Sequence, residues 1–371
     1  MKITKIEPIM LRLPNAPRIA DGAQTLLVVK VHTDEGITGI GELHTAELVG
    51  KAVIETPFCS WSTIGLAELL IGEDPRNISY LWDKMYKYTS GFGRRGIVLH
   101  AISAIDMALW DILGKSCGLP IYQLLGGAHR KSIKLYASDL DPDGKMSMSN
   151  LAQRHVDNGY KAMKFGWGGL GKSLKDDVKA VAAVRECVGP DIDIMFDFGH
   201  PLPLDRAIRF ARDVDPFNVY FIEEPLEADD FGSFRKLVAA SPTPIATGEK
   251  LATLRDFAGL IDHGDLRIIQ PDIARVGGFT EMLRIAAYAD LHNVEIIPHC
   301  WASDILVAAS LHFMAAARRS TYLEFCVFDQ PLRRYLAQEP IAAKDGYALV
   351  PEKPGLGVEL NDEIVKKYQV H

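Results

Sequence analysis

Three acidic residues recur at nearly equal spacing in the middle of the chain: Asp197 in FDFG, Glu223 in FIEEP and Glu249 in ATGEK. Each closes a short run of β-favouring residues, so the three would stand side by side at the ends of adjacent strands. Bare carboxylates placed like that repel one another. A hard cation with oxygen ligands removes the repulsion, and Mg²⁺ suits a few carboxylates completed by water and substrate oxygens. Taken singly, each acid is more simply an exposed charge near a loop. Three in phase make that reading weak. Glu224 follows Glu223 and, by strand alternation, is expected to face the other way.

Asp272 (IIQPD) and His299 (IIPHC) end the next two strand-like runs. A carboxylate that accepts a hydrogen bond from one imidazole nitrogen leaves the other free as a base and stabilises the imidazolium. Lys164 ends KAMKFG, across the mouth from His299. Its ammonium would contact a substrate oxygen or, with a lowered pKa, act as a base. Glu324 (YLEF), if protonated, would donate a hydrogen bond to a developing enolate oxygen; it reads equally well as a salt-bridged acid.

The elements that must carry these residues follow from the texture of the chain. From Ile133 onward, eight apolar β-rich runs alternate with amphipathic stretches: IKLYAS, AMKFGW, IDIMFDF, VYFIEEP, PIATGE, LRIIQPD, VEIIPH and YLEF. Their terminal polar residues, from Asp139 to Glu324, are separated by 25, 33, 26, 26, 23, 27 and 25 positions. That step is the length of one βα unit, and a closed parallel barrel brings all eight ends to one face. Before the barrel, residues 2–13, 25–33 and 37–43 read as strands, the last two joined across Asp34-Glu35-Gly36 as a hairpin. HAISAIDMALWDILGKSCG reads as a helix stopped at Gly118. Leu124-Leu125-Gly126-Gly127 marks a boundary. The stretch from about Phe328 to His371 lacks the barrel rhythm and is expected to pack on the N-terminal domain.

Composition narrows the function classes. The chain has 371 residues, 48% of them hydrophobic, with a net charge of −7. No Lys/Arg block supports a nucleic-acid or anionic membrane surface. The cysteines, Cys59, Cys117, Cys187, Cys300 and Cys326, are scattered and odd in number, which fits reduced thiols in a cytoplasmic protein. The start does not read as a signal peptide, and no uncharged apolar run of membrane-spanning length is present.

Together these residues resemble the mandelate racemase subgroup of the enolase superfamily, over nearly the whole chain. The likeness rests on the Asp197/Glu223/Glu249 series in its FIEEP and TGE contexts, on QPDIARVGG and on His299. The muconate-lactonising subgroup differs, with a lysine where this chain has Asp272. The resemblance implies an α/β fold: a (β/α)₇β modified TIM barrel over 128–327, capped by an α+β domain of 1–127 that the segment 328–371 completes. Loops around 14–24 and 44–62 would close over the metal site. It further implies abstraction of the proton α to a carboxylate, with one Mg²⁺ per subunit stabilising the enediolate.

The sequence also departs from that pattern. Many relatives carry Lys-x-Lys where this chain has Lys164-Phe165-Gly166, so the usual second base is missing. This favours a one-directional reaction with His299 as base. Asp197-Phe198-Gly199-His200 replaces Asp-x-Asn, and His200 lies one position from where some sugar-acid dehydratases place a histidine acid. The implied reading is dehydration of an aldonate or aldarate to a 2-keto-3-deoxy acid. Racemase, epimerase or lactone cycloisomerase chemistry would use the same enediolate. A catalytically silent scaffold is disfavoured by the intact triad and dyad. Arg18, Asp21 and His44 in the capping loops are candidates to read sugar hydroxyls. The expected partners are a small-molecule carboxylate and further copies of the chain, from dimer to octamer.

Overall fold

The computed structural model describes residues 1–14, 24–139, 146–166 and 170–370. Arg18 and Asp21 lie outside the described residues.

The N-terminal part is an antiparallel sheet of β1 (Ile3–Arg12), β2 (Thr25–Thr33) and β3 (Thr38–Leu43), with helix Ile97–Cys117 packed on it. The helix approaches very closely because β3 presents glycines. A Cβ at Gly41 would lie 1.9 Å from the carbonyl oxygen of Ala104, and one at Gly39 would lie 2.0 Å from that of Ala108. By length and composition this helix could cross a membrane, although it carries Asp106, Asp111 and Lys115 and is no uncharged run; 78% of its apolar window is buried inside the protein. Gly118, in the left-handed conformation, ends it as the sequence suggests.

Eight parallel strands follow: β4 (Ser132–Asp139), β5 (Ala162–Gly166), β6 (Asp193–Asp197), β7 (Phe221–Glu223), β8 (Ile245–Thr247), β9 (Ile268–Ile269), β10 (Glu295–Ile296) and β11 (Tyr322–Cys326). Each of the eight runs read from the sequence supplies one of them. They pair in the order β10-β9-β8-β7-β6-β5-β4-β11. Helices lie between successive strands. Across the remaining gap, Ile296 N donates to Arg319 O at 3.0 Å. This is the (β/α)₇β barrel. Tyr136, Met195, Phe221, Ile268, Ile297 and Tyr322 form an apolar cluster contributed by its strands and their ends. Strand β12 (Tyr347–Leu349) runs antiparallel to β4, and β13 (Gln369–Val370) pairs with β1.

Buried carboxylates bind the cap to the barrel. Glu42 of β3 accepts from the backbone N–H groups of Ser303 and Leu306, at the N-terminus of helix Asp304–Ala316. Asp106 of the long helix accepts from Thr280 N at 3.0 Å and Thr280 Oγ1 at 2.6 Å, in the first turn of helix Gly278–Leu291. Each fills the role of a helix cap from another part of the chain. Burial pushes both carboxyls up to about 7 against these hydrogen bonds. Asp111 accepts from Ile40 N and Leu356 N, joining β3 to the C-terminal segment. All five cysteines are free thiols.

Candidate active site

The three acids of the central series meet at one end of the barrel. Asp197 and Glu223 are register partners on β6 and β7. Glu249 lies two residues beyond β8. All three are buried, at 2%, 1% and 5% exposure, so their charges must be answered locally. Asp197 Oδ1 accepts from Gly199 N at 2.8 Å. Glu223 accepts from Lys164 Nζ at 2.5 Å and from Gln270 Nε2 at 2.6 Å. Glu249 lies 3.4 Å from Arg275 Nη1 and 3.3 Å from His299 Nε2. Burial raises Asp197 and Glu223 above their ordinary range despite the opposing Lys164 charge.

His299 and Asp272 form the dyad read from the sequence, with Nδ1 to Oδ2 at 2.7 Å. The other Asp272 oxygen accepts from Ala274 N at 2.7 Å, capping the short helix Ile273–Val276. The carboxylate is thereby locked in one orientation. Against burial, His299 and Arg275 hold Asp272 below the ordinary carboxylate range. Burial pulls His299 down, but Glu249, Glu324 and the Asp272 hydrogen bond outweigh it, and the imidazole ends above its ordinary value.

Lys164 lies 2.9 Å from Glu324 Oε1 and 3.4 Å from Asp197 Oδ2. Burial opposes its charge, yet Glu223 and Glu324 hold its pKa well above the ordinary lysine value. It is an ammonium here. Glu324 had two readings. Burial would raise it, but Lys164 and His299 bring it down to about 2. It accepts from Ser138 Oγ at 2.7 Å and Cys300 N at 2.9 Å. It is an ionised, salt-bridged acceptor and not the protonated donor, which decides between the two readings the sequence left open.

Glu224 corrects an expectation. Strand β7 ends at Glu223, and Glu224 takes a left-handed φ of 48°. Alternation therefore stops before it. Its buried carboxylate accepts from Thr247 Oγ1 at 3.1 Å and pairs with Lys250. Burial, then Glu249, push it up to about 7. Glu224 thus belongs to the electrostatics of the site.

His44, immediately after β3, is brought to the site as a buried ring. Its Nε2 lies 2.7 Å from Arg275 Nη2, and the ring stacks 6.3 Å from that of His299. Burial, then the Arg275 charge, hold it well below the ordinary imidazole value. His200 is exposed in the loop after β6. Ser138, Gln270, Arg275 and Lys250 escaped sequence reasoning; QPDIARVGG contained two of them, with only Asp272 singled out.

Gly166 carries more meaning than a missing lysine. A Cβ there would lie 1.9 Å from the carbonyl oxygen of Asp197. The close approach of β5 and β6 leaves no room for any side chain at the position where many relatives place a second base. Gly166→Ala is expected to lower kcat by about 10²-fold by displacing Asp197. Steady-state kinetics on protein with an unchanged circular dichroism spectrum is the check; an unchanged kcat would show that the strands part without moving Asp197.

The donor set fits a hard divalent cation. Asp197, Glu223, Glu224, Glu249, Asp272 and Glu324 outnumber Lys164, Lys250 and Arg275, and oxygen ligands suit Mg²⁺. Lys164 stands between Asp197 and Glu223 as a positive charge those acids already accept. Among the described residues no three His, Cys, Asp or Glu side chains converge as a finished ion shell. Asp197, Glu223 and Glu324 share Lys164 instead, and Glu249 faces Arg275 and His299.

A capped barrel with buried acids at its strand ends, beside a His–Asp dyad, defines a class of proton-abstracting enzymes. Residues 7–126 match the mandelate racemase/muconate lactonizing enzyme N-terminal domain, and residues 147–364 match the enolase C-terminal domain-like family. The chain belongs to the mandelate racemase subgroup of the enolase superfamily. It is similar to D-galactonate dehydratase from Pectobacterium atrosepticum, at 36% identity over 98% of this chain and 94% of that protein. It is also similar to D-galactarolactone cycloisomerase from Agrobacterium fabrum, at 32% identity over 93% and 91%. A racemase from Streptomyces coelicolor solved with bound magnesium superposes with a TM-score of 0.87, at 29% identity over 99% of this chain and 100% of that chain.

Proposed function

We propose that this enzyme dehydrates a sugar acid, an aldonate or aldarate, to the 2-keto-3-deoxy acid, in a Mg²⁺-dependent reaction. The observation that carries the reading is one well-built base with no room for a second: His299 is fixed by Asp272 at 2.7 Å, while Gly166 is closed to any side chain. A two-base racemase needs a proton acceptor on each face of the α carbon. Elimination needs only one.

Asp197, Glu223 and Glu249 would hold Mg²⁺, which supplies positive charge to the substrate carboxylate as the α proton leaves. His299 Nε2 takes the C2 proton, and Asp272 stabilises the imidazolium. Lys164, an ammonium, binds the substrate carboxylate. Glu324 acts through Lys164, whose Nζ it holds at 2.9 Å, and through the hydrogen bond it takes from Ser138. The C2 electron pair expels the C3 hydroxyl, which leaves as water after receiving a proton. In syn elimination that proton returns from His299; in anti elimination His200 is the candidate donor. The resulting enol tautomerises to the ketone. His44 lines the dyad beside Arg275, and the substrate is a small carboxylate met by a cytoplasmic homo-oligomer.

A lactone cycloisomerase is the second reading, favoured by the similarity to D-galactarolactone cycloisomerase. It shares the α-proton step but expels a ring oxygen instead of water. The deciding experiment is a screen of acid sugars with Mg²⁺, read out by semicarbazide and by mass. A product lighter than its substrate by one water supports dehydration. A keto product of unchanged mass from a lactone moves the assignment to cycloisomerase. Solvent-deuterium exchange at the α carbon without any keto product would sink both.

A further inference from the structure

The barrel has a second opening, at the N-terminal ends of its strands, and it holds a cavity of about 870 Å³. Five cationic side chains line it: Arg130, Lys134, Arg267, Arg318 and Arg319. They are accompanied by one carboxylate, Glu295. In a chain of net charge −7 this is a local reversal of sign.

The cations are not equally committed. Arg130 donates to the carbonyls of Met314, Ala317, Ser320 and Arg318, which fixes its charge beside the end of helix Asp304–Ala316 without neutralising it. Arg318 and Arg319 share one oxygen of Asp290, at 2.7 and 3.0 Å. Glu295 accepts from the Thr321 hydroxyl. Lys134 and Arg267 are exposed, and neither forms an ion pair among the described residues. Positive charge is therefore left over around an open concavity, where the summed field of several like charges attracts an anion.

The cavity is separate from the catalytic end. Between them lie Tyr136, Phe221 and Tyr322, edge to face at 6.2 and 6.5 Å, with Met195, Ile268 and Ile297 around them. Lys164 lies on the catalytic side of this plug, 5.6 Å from the Tyr136 ring centre.

We propose that this N-terminal mouth binds a small doubly charged oxyanion of the phosphate monoester class, with Arg267 and Lys134 as its principal contacts. A guanidinium offers two parallel donors that match two phosphate oxygens, and an ammonium adds a point charge. The volume leaves room for a sugar-sized group attached to the phosphate. The site is distinct from the carboxylate-binding catalytic end and does not depend on which reaction occurs there.

The test is calorimetric titration of the full-length protein with inorganic phosphate, against chloride at matched ionic strength. Wild-type protein is expected to bind at millimolar phosphate. Arg267→Gln is expected to weaken binding about tenfold, and the double variant with Lys134→Gln about 10²-fold. Both positions are exposed, and each single variant gives its own reading should the double variant misfold. Lys164→Met, titrated at a temperature where circular dichroism shows it folded, is expected to leave phosphate binding unchanged. Absence of binding to the wild type overturns the proposal. So does binding that survives Arg267→Gln and Lys134→Gln, and so does binding lost in Lys164→Met alone, which places the anion at the catalytic end.

Discussion

His299→Asn is expected to lower kcat by about 10³-fold or more, because it removes the one base the site provides. The asparagine amide can still donate to Asp272 Oδ2, so the carboxylate that His299 faces at 2.7 Å is not left unpaired. The fold and the stabilisation by Mg²⁺ should therefore persist, which separates a catalytic loss from a structural one. Two measurements are needed together: turnover of the screened substrate, and solvent-deuterium exchange at its α carbon. Both should vanish. Exchange retained without turnover would mean that another group takes the proton, with Lys164 the candidate on the opposite side. Turnover retained would remove His299 from the mechanism. Asp272→Asn should fall between these limits, since the base remains but loses the charge that stabilises its protonated form.

The periodicity of the chain carried the barrel, because each βα unit repeats one length and each strand ends in a polar residue. It also placed Asp197, Glu223 and Glu249 at one end of the barrel and paired His299 with Asp272, since residues at strand ends share one face whatever the loops do. What failed were inferences that needed the exact end of a strand or the neighbour across a gap. Glu224 was assigned by alternation, but alternation holds only while the backbone stays extended, and φ turns positive there. Glu324 stayed open between two readings, because its protonation is set by Lys164 and His299, which lie 160 and 25 positions away. Glu42 and Asp106 gave no signal at all. A helix cap supplied from another part of the chain has no fixed spacing to the helix it caps, so no motif can show it. Gly166 was legible as a missing lysine; the reason no other residue fits is the carbonyl oxygen of Asp197, visible only once β5 and β6 are paired.

Lys164→Met is expected to produce opposite changes in metal affinity and in turnover. The ammonium lies within 3.4 Å of Asp197, Glu223 and Glu324, all buried. Removing it leaves these carboxylates facing one another in a medium that solvates them poorly. Breaking such a buried arrangement costs about 3–5 kcal/mol, so the variant should be markedly less stable without divalent cations. The same change removes a like charge that competes with Mg²⁺ for Asp197 and Glu223. Mg²⁺ should therefore bind about tenfold more tightly or better, and should raise the unfolding midpoint more than it does in the wild type. Turnover should still fall, by about 10²-fold or more, because the substrate carboxylate has lost its ammonium partner. Calorimetric Mg²⁺ titration and thermal unfolding with and without Mg²⁺ supply the two readouts. Weaker Mg²⁺ binding in Lys164→Met would show that the lysine organises the carboxylates for the cation instead of competing with it. In that case the negative charge of the site would be balanced in a different order, with Lys250 and Arg275 setting the affinity and Lys164 serving only to position the ligands.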